Sequence, residues 1–392
     1  MRQWRRMEID MMKTIAFYLP QFYTFPENDE WWGKGFTEWT NVKKSKSLFW
    51  GHSMPEVPLN DNYYDLSNID TMIWQSKLAM QYGVDAFCYY HYWFKNGKKL
   101  LEKPIENMLH NRNVNIPFCL CWANEAWTRT WDGHGSDILM PQEYDEDIES
   151  LTMHFKYLLP FFKDDRYIKE NNKPLFIIYK PYLINDITRI MSCWNELAKE
   201  EGFDGIYWGV QHTDNFGYSD LIAKFDMAIE FEPSYTANHE MRINNYDNTE
   251  ISIKECLKKI KCILMKLLHV FFKVPLINSY DEIWKCINNR IPQNERIAPG
   301  AFVSWDNTPR KGIRGITYQK ATPEKFKKYM IERYSRAKNV YKSQYLFINA
   351  WNEWAEGAHL EPDEQNGYGY LEALKDAQLV SHIKDDKYFP NK

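Results

Sequence analysis

The chain has 392 residues, a formal net charge of -4 and a hydrophobic fraction of 44%, enough for one large core and with no general pull towards nucleic acid or anionic lipid. No apolar run approaches the length of a membrane-spanning helix, and the basic start Met1–Arg6 lacks the apolar stretch of a secretory signal, so a cytoplasmic location is expected. Aromatic residues make up 16% of the chain, including 16 Trp and 26 Tyr; rings with a flat apolar face and a polar edge suit sugar stacking as well as a core.

In chain order, short β-branched and aromatic runs alternate with segments of helical period. Strands are predicted over Thr14–Leu19, Val84–Tyr90, Pro117–Trp122, Pro174–Tyr179, Gly205–Val210, Met227–Phe231, Ala301–Trp305 and Tyr345–Ile348. Helices are predicted over Asn68–Tyr82, Lys99–Asn111, Glu146–Phe162, Asp186–Glu201, Ser219–Lys224, Pro323–Lys338 and Leu371–Ser381. Eight strands with intervening helices indicate the α/β class, as a single (β/α)8 TIM barrel with long loops over 1–392. No glycine-rich phosphate loop follows any strand, which argues against a nucleotide-binding fold.

Residues 234–299 are too long for a simple connection between the sixth and seventh strands and read as a helical insertion. Within it, 251–274 carries Lys254, Lys258, Lys261, Lys266 and Lys273 among apolar residues. That pattern fits a lid on the barrel, or an amphipathic helix making peripheral contact with a membrane or a partner. Of the seven cysteines, Cys119 and Cys121 read as facing opposite sides of a strand, a poor clip for a metal or a disulfide, and buried free thiols are expected. His91, His212 and His359 are scattered without ligand spacing. No metal or cofactor is expected.

In such barrels the site lies at the carboxyl ends of the strands. Polar and aromatic residues gather there: Tyr18 and Trp39 after the first strand, Tyr90 and His91 after the second, Trp122, Asn124 and Glu125 after the third, Tyr179 after the fourth, Glu230 and Glu232 after the sixth, and Trp305 after the seventh. All are candidate sugar contacts. Glu230 and Glu232 fit a salt bridge inside the rim equally well. The densest segment follows the eighth strand, Trp351-Asn352-Glu353-Trp354-Ala355-Glu356-Gly357. Glu353 and Glu356, three apart on a tight turn, can reach one substrate between Trp351 and Trp354. In a partly dry cleft their proton affinities separate, giving the acid and base that glycosidic cleavage needs.

Phe17-Tyr18-Leu19-Pro20-Gln21-Phe22, Gly35-Phe36-Thr37-Glu38-Trp39, Cys121-Trp122-Ala123-Asn124-Glu125 and the Trp351–Gly357 segment together resemble the WbsX family. That family occurs in bacterial surface-polysaccharide (lipopolysaccharide, O-antigen) gene clusters and is often labelled a glycosyltransferase. More remotely, the chain is similar to glycoside hydrolase family 99, endo-α-mannosidases and mannanases built on a (β/α)8 barrel. The resemblance implies a retaining glycoside hydrolase acting on a mannose-containing oligo- or polysaccharide. Glu353 would be the base on the sugar 2-hydroxyl, Glu356 the acid/base, and Tyr18 part of the subsite for the reacting sugar. Family 99 commonly has His where this chain has Ala355. Asn124-Glu125 also resembles the pairs of other retaining glycosidases, in which Glu125 would join a conventional double displacement. Two alternatives stand beside hydrolysis: a glycosyltransferase or transglycosylase, and a non-catalytic polysaccharide-binding protein. Against transfer from nucleotide sugars, Asp145-Glu146-Asp147 reads as a charged helix start.

Overall fold

The structure is a computed structural model and describes residues 12–129, 134–144, 147–213, 219–243 and 274–388. Eight parallel strands form its centre: β1 (Lys13–Tyr18), β2 (Ala86–Trp93), β3 (Phe118–Trp122), β4 (Lys173–Ile178), β5 (Tyr207–His212), β6 (Met227–Glu230), β7 (Ile297–Ala298 continuing as Gly300–Phe302) and β8 (Tyr345–Asn349). From β1 to β6, neighbours in sequence are neighbours in the sheet. The ring closes through β7, whose first half pairs with β6 and whose second half pairs with β8, and β8 returns to β1. Pro299, which has no N–H to give, marks the change of partner, and its carbonyl accepts from Phe347 N at 3.0 Å. The next residue must be glycine. A Cβ at Gly300 would lie 1.7 Å from the Glu230 carbonyl oxygen.

Among the described residues, the longer helices covering the outside are α1 (Ile69–Gln81), α2 (Glu102–His110), α3 (Ile148–Lys163), α4 (Ile187–Glu200), α5 (Tyr280–Asn289), α6 (Pro323–Asn339) and α7 (Gly369–Tyr388). Side chains of Asn68, Asp147, Asp186, Ser279 and Thr322 cap α1, α3, α4, α5 and α6 by accepting from first-turn N–H groups. Between β5 and β6 the predicted helix is only a 3-10 turn, Ile222–Lys224.

Strand alternation sorts the aromatics into two layers. Phe17 meets Tyr90, Phe231 and Phe347 at ring distances of 5.7, 5.2 and 5.8 Å; β6 lies across the ring from β1 and β2, so these contacts run through the barrel interior. Phe118, Phe176 and Trp208 take the other face and pack with Phe161, Phe162 and Trp194 of the helices. Cys119 and Cys121, two apart, share one face of β3 rather than opposing ones, because the strand period is two, and both interact with Cys88. All three thiols are buried and free.

The seventh strand begins four residues before the predicted Ala301. The long 234–299 connection therefore contains two barrel elements, α5 and the first half of β7. α5 buries Tyr280, Ile283, Trp284 and Ile287, and Trp284 stacks on Phe302 and Tyr329 at 5.5 and 5.4 Å. The basic segment 251–274 falls, apart from Val274, outside the described residues. Among the described residues no helix is long and apolar enough to cross a membrane.

Candidate active site

The loop after β8 carries Glu353 and Glu356 on a short turn, Trp354–Glu356, that ends at Gly357 in the left-handed region (φ 57°). A Cβ at Gly357 would stand 2.9 Å from the Asp306 amide. This closeness is used: Asp306 N donates to the Glu356 carbonyl at 2.7 Å, and Ser304 Oγ donates to the Gly357 carbonyl. The loops after β7 and β8 are thus joined.

Asp306 also starts the short helix Thr308–Lys311. Its Oδ1 accepts from Thr308 N and Oγ1 at 3.0 and 2.6 Å, and its Oδ2 faces His52 Nε2 at 2.9 Å. That helix delivers Arg310 to three carboxylates. Nε donates to Glu38 Oε1 at 2.7 Å, Nη2 donates to Glu353 Oε2 at 2.9 Å, and Nη1 lies 2.8 Å from Glu356 Oε1. Glu38 comes from the short helix Glu38–Lys44 after β1.

Among the described residues one cation, Arg310, faces these three carboxylates, so the cluster favours keeping a proton. Burial, with Glu356 and Glu38 nearby, outweighs Arg310 and pushes Glu353 up to about 8. The side chains differ in access: Glu353 is 9% exposed and Glu356 is 22% exposed, so water reaches Glu356 more readily. Tyr90 and Tyr92 of β2 feel the charge of Glu353, and Tyr179 feels those of Glu125 and Glu356. These side chains share one mouth of the barrel. Glu125 pairs there with Lys180.

The other predicted contacts are held as follows. Tyr18 is fully buried on the helix side of β1 and donates to Gln75 Oε1 at 2.6 Å; alternation puts Phe17, not Tyr18, inside. His91 and His154 bond through Nε2 at 2.9 Å in the helix layer, and burial with Lys99 pushes His91 down to about 3. Trp122 donates to the Trp93 carbonyl and packs on His154. Asn124 bonds the Lys180 backbone and Tyr144, fixing its loop. Trp351 is fully buried on Phe87. Trp354 donates to Glu361 Oε2 at 2.7 Å and stacks on His359 at 3.7 Å. Trp39 donates to the Tyr64 carbonyl and walls a hollow of about 590 Å³ with Thr40, Lys43 and Tyr63, and Trp305 is half-buried.

Glu230 and Glu232 do share a face, as alternation requires, but it is the face turned to the helices. Arg290 Nη1 bonds both at 2.8 Å, and Arg333 Nη2 bonds Glu230 at 2.8 Å. Of the two sequence alternatives, the structure has the salt bridge.

The WbsX glycosyltransferase family matches residues 14–374. The chain belongs to the WbsX family. The uncharacterized protein WxcX of Xanthomonas campestris pv. campestris is 35% identical over 370 residues, covering 93% of this chain and 49% of WxcX; the WbsX chain spans about half the length of the curated relatives it matches. Among solved structures, the GH99 endo-alpha-mannosidase from Bacteroides thetaiotaomicron aligns over 96% of this chain and 98% of its own, with a TM-score of 0.53 and 13% identity. A glycoside hydrolase-like protein aligns over 94% of each chain, with a TM-score of 0.53 and 12% identity. At such identities these two likenesses speak to the fold, a (β/α)8 barrel.

Sequence patterns passed over three members of the WbsX cluster: Glu38, Arg310 and Tyr92. Glu38 lies inside the Gly35–Trp39 motif, and Arg310 follows Pro309 in a helix start just beyond β7, which were the available signals. His359 supplies a test of local electrostatics. Burial opposes its charge, but Glu56 at 3.0 Å, with Asp363 and the Glu361 carbonyl, pushes it up to about 9. A folded value above the unfolded one, about 6.5, means stabilisation that is complete below about pH 6.5 and lost as pH rises through 9. The melting temperature of the wild type is expected to fall more than that of His359→Asn between pH 6 and 9.5; parallel curves would refute the charged His359.

Proposed function

We propose that this WbsX protein is a retaining glycoside hydrolase of endo-α-mannosidase or mannanase type, acting on bacterial poly- or oligosaccharide through the sugar 2-hydroxyl. The observation that carries this reading is the pair Glu353 and Glu356 side by side on Arg310 at the mouth of the barrel. The likeness of fold to the mannosidase supports it.

The chemistry needs one proton on the pair. Glu353 takes the proton of the 2-hydroxyl as O2 attacks C1, while Glu356 gives a proton to the departing glycosidic oxygen. The product is a 1,2-anhydro sugar. Glu356 then takes a proton from water as the water oxygen attacks C1, and O2 recovers its proton from Glu353. Two inversions leave the anomeric configuration unchanged. Burial and the neighbouring glutamates favour a proton on Glu353; passing that proton to Glu356 within the pair leaves the net charge unchanged.

Incubation with a panel of α-linked manno-oligosaccharides, followed by proton NMR of the first-formed anomer, tests the reading. Retained α product is expected, together with no cleavage of a 2-deoxy analogue at the reacting sugar. Inverted product, or normal cleavage of the 2-deoxy analogue, would overturn it. The description of the family as a glycosyltransferase favours a second reading, in which an acceptor sugar replaces water in the second step. Added acceptor would then divert product into longer glycans.

A further inference from the structure

We propose that Arg310, anchored by Glu38, is the positioning residue of this centre, and that Glu38 controls how much of the guanidinium's charge reaches Glu353 and Glu356. This rests on the reading of those two glutamates as the reacting pair.

Each nitrogen of the guanidinium serves a different carboxylate, two on the loop after β8 and one on the helix after β1. The planar fork fixes the distance between Glu353 and Glu356, which a lysine could not do. The start of the short helix that carries Arg310 is fixed by Asp306, which faces His52, accepts from Thr308 N and donates its N–H to the Glu356 carbonyl. It is only 11% exposed, so it acts through the glutamates rather than on substrate.

Glu38 is the unexpected partner. Its side chain is fully buried, and among the described residues no donor bonds its Oε2. A glutamine would place an acceptor oxygen on Arg310 Nε equally well and could offer its amide as a donor to the neighbouring Asn41 side-chain oxygen, which also lacks a donor. What only a carboxylate supplies is charge. The groups facing Glu353 are Arg310, Glu356 and Glu38, with Tyr90 and Tyr92 from β2. Among the described residues, Arg310 is the cation in this group. With Glu38 present it is shared three ways, and the pair keeps its proton to higher pH. Without Glu38 its full charge falls on Glu353 and Glu356, and the proton leaves earlier.

Glu38→Gln tests this with two readings. The alkaline limb of kcat/KM is expected to move down by about one pH unit, while Glu38→Asp, which keeps the charge, leaves the limb near its wild-type position. Independently of turnover, a carbon-13 titration of the Glu353 carboxyl, assigned by its loss in Glu353→Gln, should show the same fall in Glu38→Gln. An unmoved Glu353 midpoint would overturn the proposal. Should Glu38→Gln fail to fold, Arg310→Lys gives the opposite sign: loss of the direct bond raises the midpoint, and a fall would count against the proposal. Full activity in both Glu353→Gln and Glu356→Gln would instead sink the reading of the pair while leaving the titration result standing, so the two failures are distinguishable.

Discussion

Glu353→Gln is expected to lower kcat/KM by about 10²–10⁴-fold on any glycan the wild type cleaves, and to make the protein more stable above about pH 6. Both effects follow from one cause. Burial and two neighbouring glutamates push Glu353 up to about 8, whereas the unfolded chain ionises it near 4.3. Between these values the native state binds the extra proton, so stability falls as pH rises. Glutamine mimics the protonated form, keeps the Arg310 contact through its oxygen, and escapes that cost. Melting curves of the two proteins should coincide near pH 4 and separate towards pH 8, with the variant higher. Glu356→Gln should also lose turnover, but less so on substrates with a leaving group acidic enough to depart unprotonated. If both variants retain wild-type turnover, the assignment of the pair is wrong.

The barrel was legible because its signal is periodic and repeated: buried runs such as Pro117–Trp122 and Tyr345–Ile348 stand out against helices with clear caps. The seventh strand was misplaced because Pro299 and Gly300 look like loop residues, whereas one marks the change of partner and the other allows a close backbone approach. Glu353 and Glu356 were visible as a dense local motif. Arg310 and Glu38 were not, since they meet the motif only through contacts 43 and 272 residues apart in sequence. Parity was the other weak point. Tyr18, Glu230 and Glu232 lie at the active end, but alternation turns them to the helix layer, and a strand's inward face cannot be read from one polar residue.

Glu230→Gln separates the sugar-contact and salt-bridge readings of that residue by its large effect on stability. Glu230 Oε2 receives Arg290, Arg333 and the Tyr341 hydroxyl at 2.8, 2.8 and 2.9 Å, with both arginines buried. Burial opposes its charge, but the two guanidiniums hold its carboxyl below the usual range. Removing the anion leaves Arg290 with Glu232 and Glu240 and takes from buried Arg333 the carboxylate that it bonds. Breaking a buried pair from one side costs about 3–5 kcal/mol, and the glutamine amide would also turn a donor towards another donor. The variant should unfold at much lower denaturant, yet its folded fraction should turn over substrate with wild-type KM. A raised KM with unchanged stability would restore Glu230 to the sugar site.

The strand order around the ring carries a further consequence. Glu38 follows β1, Arg310 follows β7, and both glutamates follow β8, so the centre straddles the seam where the earliest strand meets the last. Leu19 N and the Asn352 side chain bond there at 2.8 Å across 333 residues of chain. The second half of the barrel supplies Arg310, Glu353 and Glu356, and the first half supplies Glu38. On the proposed reading, the full set of charges comes together only when the first and eighth strands have paired. If the proposed activity holds, turnover would report that pairing, and refolding followed by activity should lag refolding followed by helix content.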